Sequence, residues 1–265
     1  MNNIFILFKN TAIADFKKFQ MQRFFQKFFI AFIGLGFGTV SIVMFYDYKY
    51  MKISNPAEIL EWWHSFLFQG TFATIFAFIG TNNICREYEK GMIKNIVLTG
   101  VGLSNYLFAR LIVFFLVFSA IMMMTSIIDT GALFIYFGKI FDLRLTGKGL
   151  MITLLHLLQT LFLVMMFSSI FKKTIHAIAG LLLYYLVIEK ITVKILLSMA
   201  SFLNLSEWAN VILKHTPLQV LDNLENAYEM NQYLINFSLF FVYLGIYGII
   251  IWLNSRNTQL GLINK

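Results

Sequence analysis

The sequence is poor in residues that break helices and in residues that keep a protein surface in water. Its 265 residues include two prolines, one cysteine and only 13% charged side chains. Scarce proline permits long uninterrupted helices, and a single cysteine excludes an intrachain disulfide framework. A soluble domain of this length would need far more polar surface to cover its core. The composition therefore argues against a soluble globular fold.

Motifs that would carry chemistry are also missing. No Gly-x-x-x-x-Gly-Lys-Ser/Thr run occurs, and the nearest fragment, Gly147-Lys148, has Asp142 where the first glycine should stand. The four histidines are far apart and lack the spacing of metal ligands. They are His64, His156, His176 and His215. Because no nucleophile elbow or paired-carboxylate arrangement is visible either, we predict no catalytic residue, no cofactor bound by this chain and no metal site.

What the sequence has in excess is apolar surface. Hydrophobic residues make up 59% of the chain, and phenylalanine alone occurs 30 times. Six apolar runs are long enough, at roughly 20 residues, to cross a bilayer as helices. They cover residues 28–46, 62–84, 106–128, 150–170, 175–199 and 233–253, and the third run is open to extension through 132–137. Since backbone groups facing lipid must be paired internally, and the runs do not alternate as barrel strands do, we predict an all-α, polytopic bundle.

The basic residues between these runs predict the orientation. With the N-terminus inside, the cytoplasmic segments hold twelve lysines and arginines and the opposite segments hold six. Cytoplasmic loops carry such an excess, so we expect both termini in the cytoplasm. The net charge of +8 then reflects topology and attraction to anionic membrane lipid rather than nucleic-acid binding.

Two segments outside the runs have helical patterns of their own. Residues 1–27 carry an apolar stripe with basic flanks, which predicts an amphipathic helix at the inner membrane surface. On the outer side, before the last span, Thr216 and Pro217 read as a helix start, with Gln219 as capping-box partner. The leucines at 218, 221 and 224 then share one face. We expect short outer helices there.

The most informative stretch is the cytoplasmic link between the second and third spans, residues 85–104, which we call the link. It reads CREYEKGMIKNIVLTGVGLS. Two carboxylates, Glu87 and Glu89, precede Gly91, as suits a helix N-terminus where carboxylates accept from free amides. Ile93, Ile96 and Val97 then form a short apolar face. The pattern predicts a short helix displayed to the cytoplasm as a docking surface; an ordinary solvated loop is the alternative.

The link resembles the characteristic motif of the ABC-2 type permeases, the membrane subunits of ATP-driven exporters. Their segment reads Glu-x-Glu-(Lys/Arg)-Gly-Thr-(Leu/Ile), followed by a short helix, a Thr/Ser-Pro-Val turn and a basic residue in the next span. This chain offers Glu87, Glu89, Lys90 and Gly91, and later Thr99, Val101 and Arg110. It departs from the pattern at Met92, where threonine is usual, and at Gly100, where proline is usual.

The resemblance implies one ABC-2 type transmembrane domain over residues 1–265, in a bacterial plasma membrane. It implies a dimer with a second permease, the same or homologous, and separate ABC ATPase subunits that bind ATP and Mg. The implied coupling residues are Glu87, Glu89, Gly91, Ile93, Lys94, Ile96, Val97 and Leu98. The cargo would be hydrophobic or amphipathic, on a pathway lined partly by Phe72, Thr74 and Tyr184. Glu189 and Lys190, near Lys194, are candidates for that pathway or its gate, because charge inside a membrane is functional by default. The alternatives are local pairing of Glu189 and snorkelling of Lys194 to the outer interface.

Three other functions stay open. A haem-exporter-like permease of cytochrome maturation shares the same plan, although the outer helices disfavour it. A structural or assembly subunit of a larger membrane complex would need no docking link. A membrane enzyme acting on lipids would need a candidate site, and the sequence offers none.

Overall fold

The described part of the chain is helical. The computed structural model describes residues 13, 73–137, 143–185, 195, 198–199, 202, 215–225 and 230–263. Its seven helices within these ranges, numbered here in chain order, are α1 (Ala73–Glu89), α2 (Met92–Leu98), α3 (Leu103–Phe137), α4 (Leu143–Phe171), α5 (Thr174–Leu182), α6 (Pro217–Glu225) and α7 (Met230–Ile263). None of the described residues lies in a strand. The expected all-α fold is confirmed for this part of the chain.

Three of these helices are long and apolar enough to cross a membrane. The qualifying stretches are Leu103–Ile128 in α3, Gly147–Phe171 in α4 and Met230–Leu262 in α7. At about 1.5 Å per residue even the shortest exceeds the roughly 30 Å of a hydrocarbon core. The third, fourth and sixth predicted spans lie inside them, and α3 continues to Phe137, through the extension left open above.

The other predicted spans are described in part or not at all. Helix α1 contains the end of the second predicted span and continues past it to Glu89. Helix α5 begins the fifth predicted span, and the wider helical turn at residues 183–185 follows it. The first predicted span, 28–46, and the N-terminal amphipathic helix lie outside the described residues, apart from Ile13, which is helical.

Helix α6 begins at Pro217, as predicted. Its backbone carbonyl at Thr216 accepts from the Val220 N–H at 2.9 Å, which closes the first helical turn. Val220, Leu221 and Leu224 are fully buried. The helix packs on α7, and the Tyr243 hydroxyl donates to the His215 carbonyl at 2.6 Å. The predicted apolar face of this short helix is therefore confirmed at 221 and 224.

The chain divides into two compact units. The first contains residues 108–157 together with the chain up to Ala73. Within it, the buried Arg110 guanidinium lies 5.2 Å from the centre of the Phe114 ring, and Phe114 stacks on Phe118. The second contains residues 74–107 and everything from Leu158 onward. All of the link belongs to this second unit.

Candidate functional site

The link consists of the end of α1, the whole of α2 and the start of α3, with a left-handed glycine on each side of α2. Helix α1 ends at Glu89, and Gly91 then adopts φ 69°, with its N–H donating to the Tyr88 carbonyl at 3.1 Å. Helix α2 ends at Leu98, and Gly100 repeats the arrangement with φ 80° and a 3.0 Å bond to the Val97 carbonyl. Both glycines are left-handed C-caps, which side chains with a Cβ adopt at a cost. A Cβ at either position would meet nothing within 4 Å, so the backbone alone requires glycine.

Glu87 does not face solvent. Its side chain is 4% exposed, and the Tyr106 hydroxyl donates to its Oε2 at 2.8 Å. This contact joins the last turn of α1 to the first turn of α3. A buried carboxylate needs donors to offset its lost hydration, and a hydroxyl bonded to an ionised oxygen is among the stronger donors. Glu87 is thus a structural contact between the two helices that flank α2.

Glu89 is bound to a third helix. Its Oε1 accepts from the Thr174 backbone N–H at 2.8 Å, at the start of α5. The N-cap residue of α5, Lys173, supplies no side-chain hydrogen bond, so this amide is one of the free donors that every helix leaves at its N-terminus. That hydrogen bond, with the positive charges of Arg86 and Lys173 adding to it, lowers the pKa of the Glu89 carboxyl below its usual range. Glu89 therefore caps α5 from α1.

The expectation that both carboxylates cap the link helix is wrong. The N-cap of α2 is Gly91, without a side-chain hydrogen bond. The reason is geometric: Glu87 and Glu89 lie in the last turn of α1, before the left-handed glycine reverses the chain. From there they reach the starts of α3 and α5 instead.

A third long-range contact comes from α7. The side-chain Oε1 of Gln259 accepts from the Leu103 backbone N–H, the first amide of α3, at 3.2 Å. Sequence reasoning missed Tyr106, Thr174 and Gln259. The sequence held a signal for the contacts of Thr174 and Gln259. The residues before α3 and α5 are Gly102 and Lys173, so neither helix has a Ser, Thr, Asp or Asn side chain to cap its first amides. A helix start without a cap must draw an acceptor from elsewhere.

Helix α2 has one buried and one exposed face. Ile93 and Val97 are 2% and 6% exposed, and Ile96 is half-buried. The helix contacts α7. The predicted apolar face is confirmed at Ile93 and Val97. On the other side lie the exposed residues that we call the exposed face of α2: Met92, Lys94, Asn95 and Leu98.

Basic side chains gather around this helix. The residues that we call the basic surface are all exposed and all belong to the second unit: Arg86, Lys90, Lys94, Lys172, Lys173 and Arg256. These basic residues come from the link, the α4–α5 turn and the end of α7. The contact of Glu89 with Thr174 joins the link to the α4–α5 turn, and the contact of Gln259 with Leu103 joins the link to α7. Lys172 also closes the α4–α5 turn in a left-handed conformation, φ 57°.

The predicted pathway residues are described only in part. Thr74 is exposed at the start of α1. The Tyr184 hydroxyl lies 3.0 Å from that of Tyr247 on α7, and its ring lies 6.1 Å from Phe167. Phe72, Glu189 and Lys190 lie outside the described residues. The structure therefore places Tyr184 at an α4–α5–α7 contact and does not assemble a pathway from the predicted set.

No metal-binding cluster is present in the described ranges: no three His, Cys, Asp or Glu side chains there are grouped to hold an ion. Cys85, at the start of the link, is buried and free.

The described residues are thus helical, three of their helices are long and apolar enough to cross a membrane, and the short helix α2 lies between the end of α1 and the start of α3. No protein-family model matches the sequence, and no curated protein matches it. The function has to be argued from the residues themselves.

Proposed function

We propose that this chain is the membrane subunit of an ATP-driven ABC exporter, in which α2 receives movement from a separate ATPase and passes it to the spans. The observation that carries the proposal is the way the ends of α2 are fixed. Hydrogen bonds accepted by Glu87, Glu89 and Gln259 join the helix ends on either side of α2 to α3, α5 and α7. A force applied to α2 therefore reaches several helices at once.

Rigidity is what such a role needs. A solvated loop would absorb a push as local motion, since loops with few buried contacts open at little cost. Helix α2 instead buries Ile93 and Val97, is preceded by the left-handed Gly91, is followed after its C-cap Thr99 by the left-handed Gly100, and is flanked by a buried carboxylate contact. A charge-assisted hydrogen bond such as Tyr106 to Glu87 contributes about 1.5–3 kcal/mol.

The residues of the link divide into two roles. Glu87, Glu89, Gly91, Ile93, Ile96 and Val97 position α2, while Lys94 and Leu98, with Met92 and Asn95, contact the ATPase. In the resembling family a proline usually follows the coupling helix, and here Gly100 stands in its place. Proline fixes φ near −65°, so the φ of 80° observed at Gly100 excludes it. The turn of this chain differs from the family pattern while the docking helix is kept.

The finer architecture is part of the same proposal. Six spans, with the amphipathic residues 1–27 lying on the inner membrane surface, would form a dimer with a second permease in a bacterial plasma membrane. Both termini and the link would be cytoplasmic, which agrees with the basic side chains that gather at the link. ATP and Mg would be bound by the ATPase, because the sequence has no P-loop run. The cargo would be hydrophobic or amphipathic.

Affinity purification of the full-length chain from its native membranes tests the proposal. We expect a P-loop ATPase to co-purify with it and the complex to hydrolyse ATP. Leu98→Ala, which trims an exposed side chain on α2, should weaken this association. The matched control is Leu234→Ala, also exposed but in the first turn of α7, about 37 Å along that helix from Gln259. Absence of any ATPase from the wild-type preparation would refute the proposed function.

A further inference from the structure

One acidic residue of the link is buried and the other is exposed, and each is held by a hydrogen bond within the protein. Glu87 is buried against Tyr106, and Glu89 is engaged by the first amide of α5. They are the only acidic residues in 86–102, 168–174 and 252–263, the described segments that meet here. Both carboxylates in these segments are therefore already engaged by donors of the protein itself.

The basic residues of the same segments are turned outward. All six members of the basic surface are exposed. They belong to the segments that meet at α2, whose exposed residues include Lys94 and Leu98, neighbours on the helix surface at four positions' spacing, and Leu98 is 68% exposed. Because α2 buries Ile93 and Val97 against the protein, its exposed part presents an apolar side chain, Leu98, next to the positive charge of Lys94.

We infer that the partner surface which receives α2 is an apolar groove with an acidic rim. This inference rests on the proposed function and names the chemistry of the ATPase surface. The apolar floor accommodates Leu98 and Met92, and carboxylates around it face Lys94 and its basic neighbours. Complementary charge of this kind sets partner choice and speeds association more than it adds affinity. Glu87 and Glu89, the residues that mark the link in the sequence, position α2 and do not touch the partner.

Salt and charge reversal test the inference. The probe is the ATPase that co-purifies with the full-length wild-type chain. Its binding to the permease in nanodiscs is measured at low salt and at about 0.5 M NaCl, where screening is nearly complete beyond a few ångströms. We expect Lys94→Glu to weaken binding about threefold to tenfold at low salt and the difference to shrink at high salt.

The matched control is Lys148→Glu, the same charge change near the start of α4, in the other compact unit. It should leave binding unchanged. Lys94→Gln, which removes the charge without reversing it, should lie between wild type and Lys94→Glu. Thermal unfolding of each variant shows whether α2 is still folded, and Lys94 is exposed, so we expect no change.

The outcomes separate the inference from the proposed function. If the ATPase binds wild type but neither Lys94→Glu nor salt alters the binding, the acidic-rim inference is overturned and the exporter proposal stands. If Lys94→Glu instead leaves the complex intact and lowers the retention of anionic phosphatidylglycerol, the basic surface faces lipid headgroups and the inference fails. If no ATPase binds wild type at all, the proposed function fails first.

Discussion

Removal of the Tyr106 hydroxyl should weaken the junction between α1 and α3 without creating a cavity. Tyr106→Phe keeps the ring and deletes the donor that lies 2.8 Å from the Glu87 carboxylate. Glu87 is 4% exposed, so water cannot replace the lost donor without a rearrangement. A hydrogen bond to a charged group contributes about 1.5–3 kcal/mol. Both residues make further interactions, so we expect a loss of about 1.5 kcal/mol, at the lower end of that range.

The assay is unfolding of the purified protein by a denaturing detergent, followed by circular dichroism. Glu87→Gln is the second variant, because it keeps an acceptor oxygen and removes the charge. A double-mutant cycle of Tyr106→Phe and Glu87→Gln isolates the pairwise contribution. We expect the two losses to be non-additive by about 0.5–1.5 kcal/mol. Additive losses would show that the two side chains do not stabilise each other, and the coupling role of the Glu87 contact would be refuted.

Three further predictions follow from other contacts. Glu89→Gln should destabilise the protein at pH 7, because the lowered pKa of Glu89 means that its ionised form stabilises the fold. The difference in stability from wild type should be fully present above the ordinary pKa of 4.5 and should vanish as the pH falls through the folded-state pKa. A difference that does not change with pH would contradict this prediction. Gly100→Ala should cost about 1 kcal/mol in the unfolding assay, since φ is 80° at this position. Gly131→Ala in α3 should be neutral or stabilising. Equal effects of the two substitutions would show that the left-handed conformation at Gly100 does not require glycine. Gly180→Ala should cost about 1–3 kcal/mol, because its Cβ would lie 2.7 Å from Phe171 and 2.8 Å from Phe167, whereas Gly245→Ala on α7 has open space; an unchanged midpoint for Gly180→Ala would mean that α4 and α5 do not pack as described.

Much of the helical pattern could be predicted from local sequence. Apolar runs of membrane-spanning length locate α3, α4 and α7, because in lipid only internally paired helices satisfy their backbone over such lengths. The start of α6 at Pro217 follows from proline's fixed φ and its missing amide hydrogen. Gly91 marks the break between α1 and α2, where a left-handed residue is needed.

The contacts around α2 could not be predicted, because they join residues far apart in the sequence. Local spacing suggested that Glu87 and Glu89 serve the next helix, yet their partners are 19 and 85 residues away. Gln259 lies 156 residues from Leu103, whose backbone N–H donates to it. Hydrophobic periodicity predicts which side of a helix is apolar. It does not predict which other helix begins beside a given side chain.

The central claim is that α2 touches a nucleotide-hydrolysing partner. A photoreactive amino acid in place of Leu98, the most exposed large hydrophobic side chain of α2 at 68%, tests it directly in living cells. The control carries the same amino acid in place of Ile249, 60% exposed on α7 in a stretch long and apolar enough to cross a membrane. We predict that irradiation joins the Leu98 variant, and not the Ile249 variant, to a protein with a P-loop. Adducts of the Leu98 variant with lipid or with a protein outside the cytoplasm, and none with an ATPase, would contradict the account.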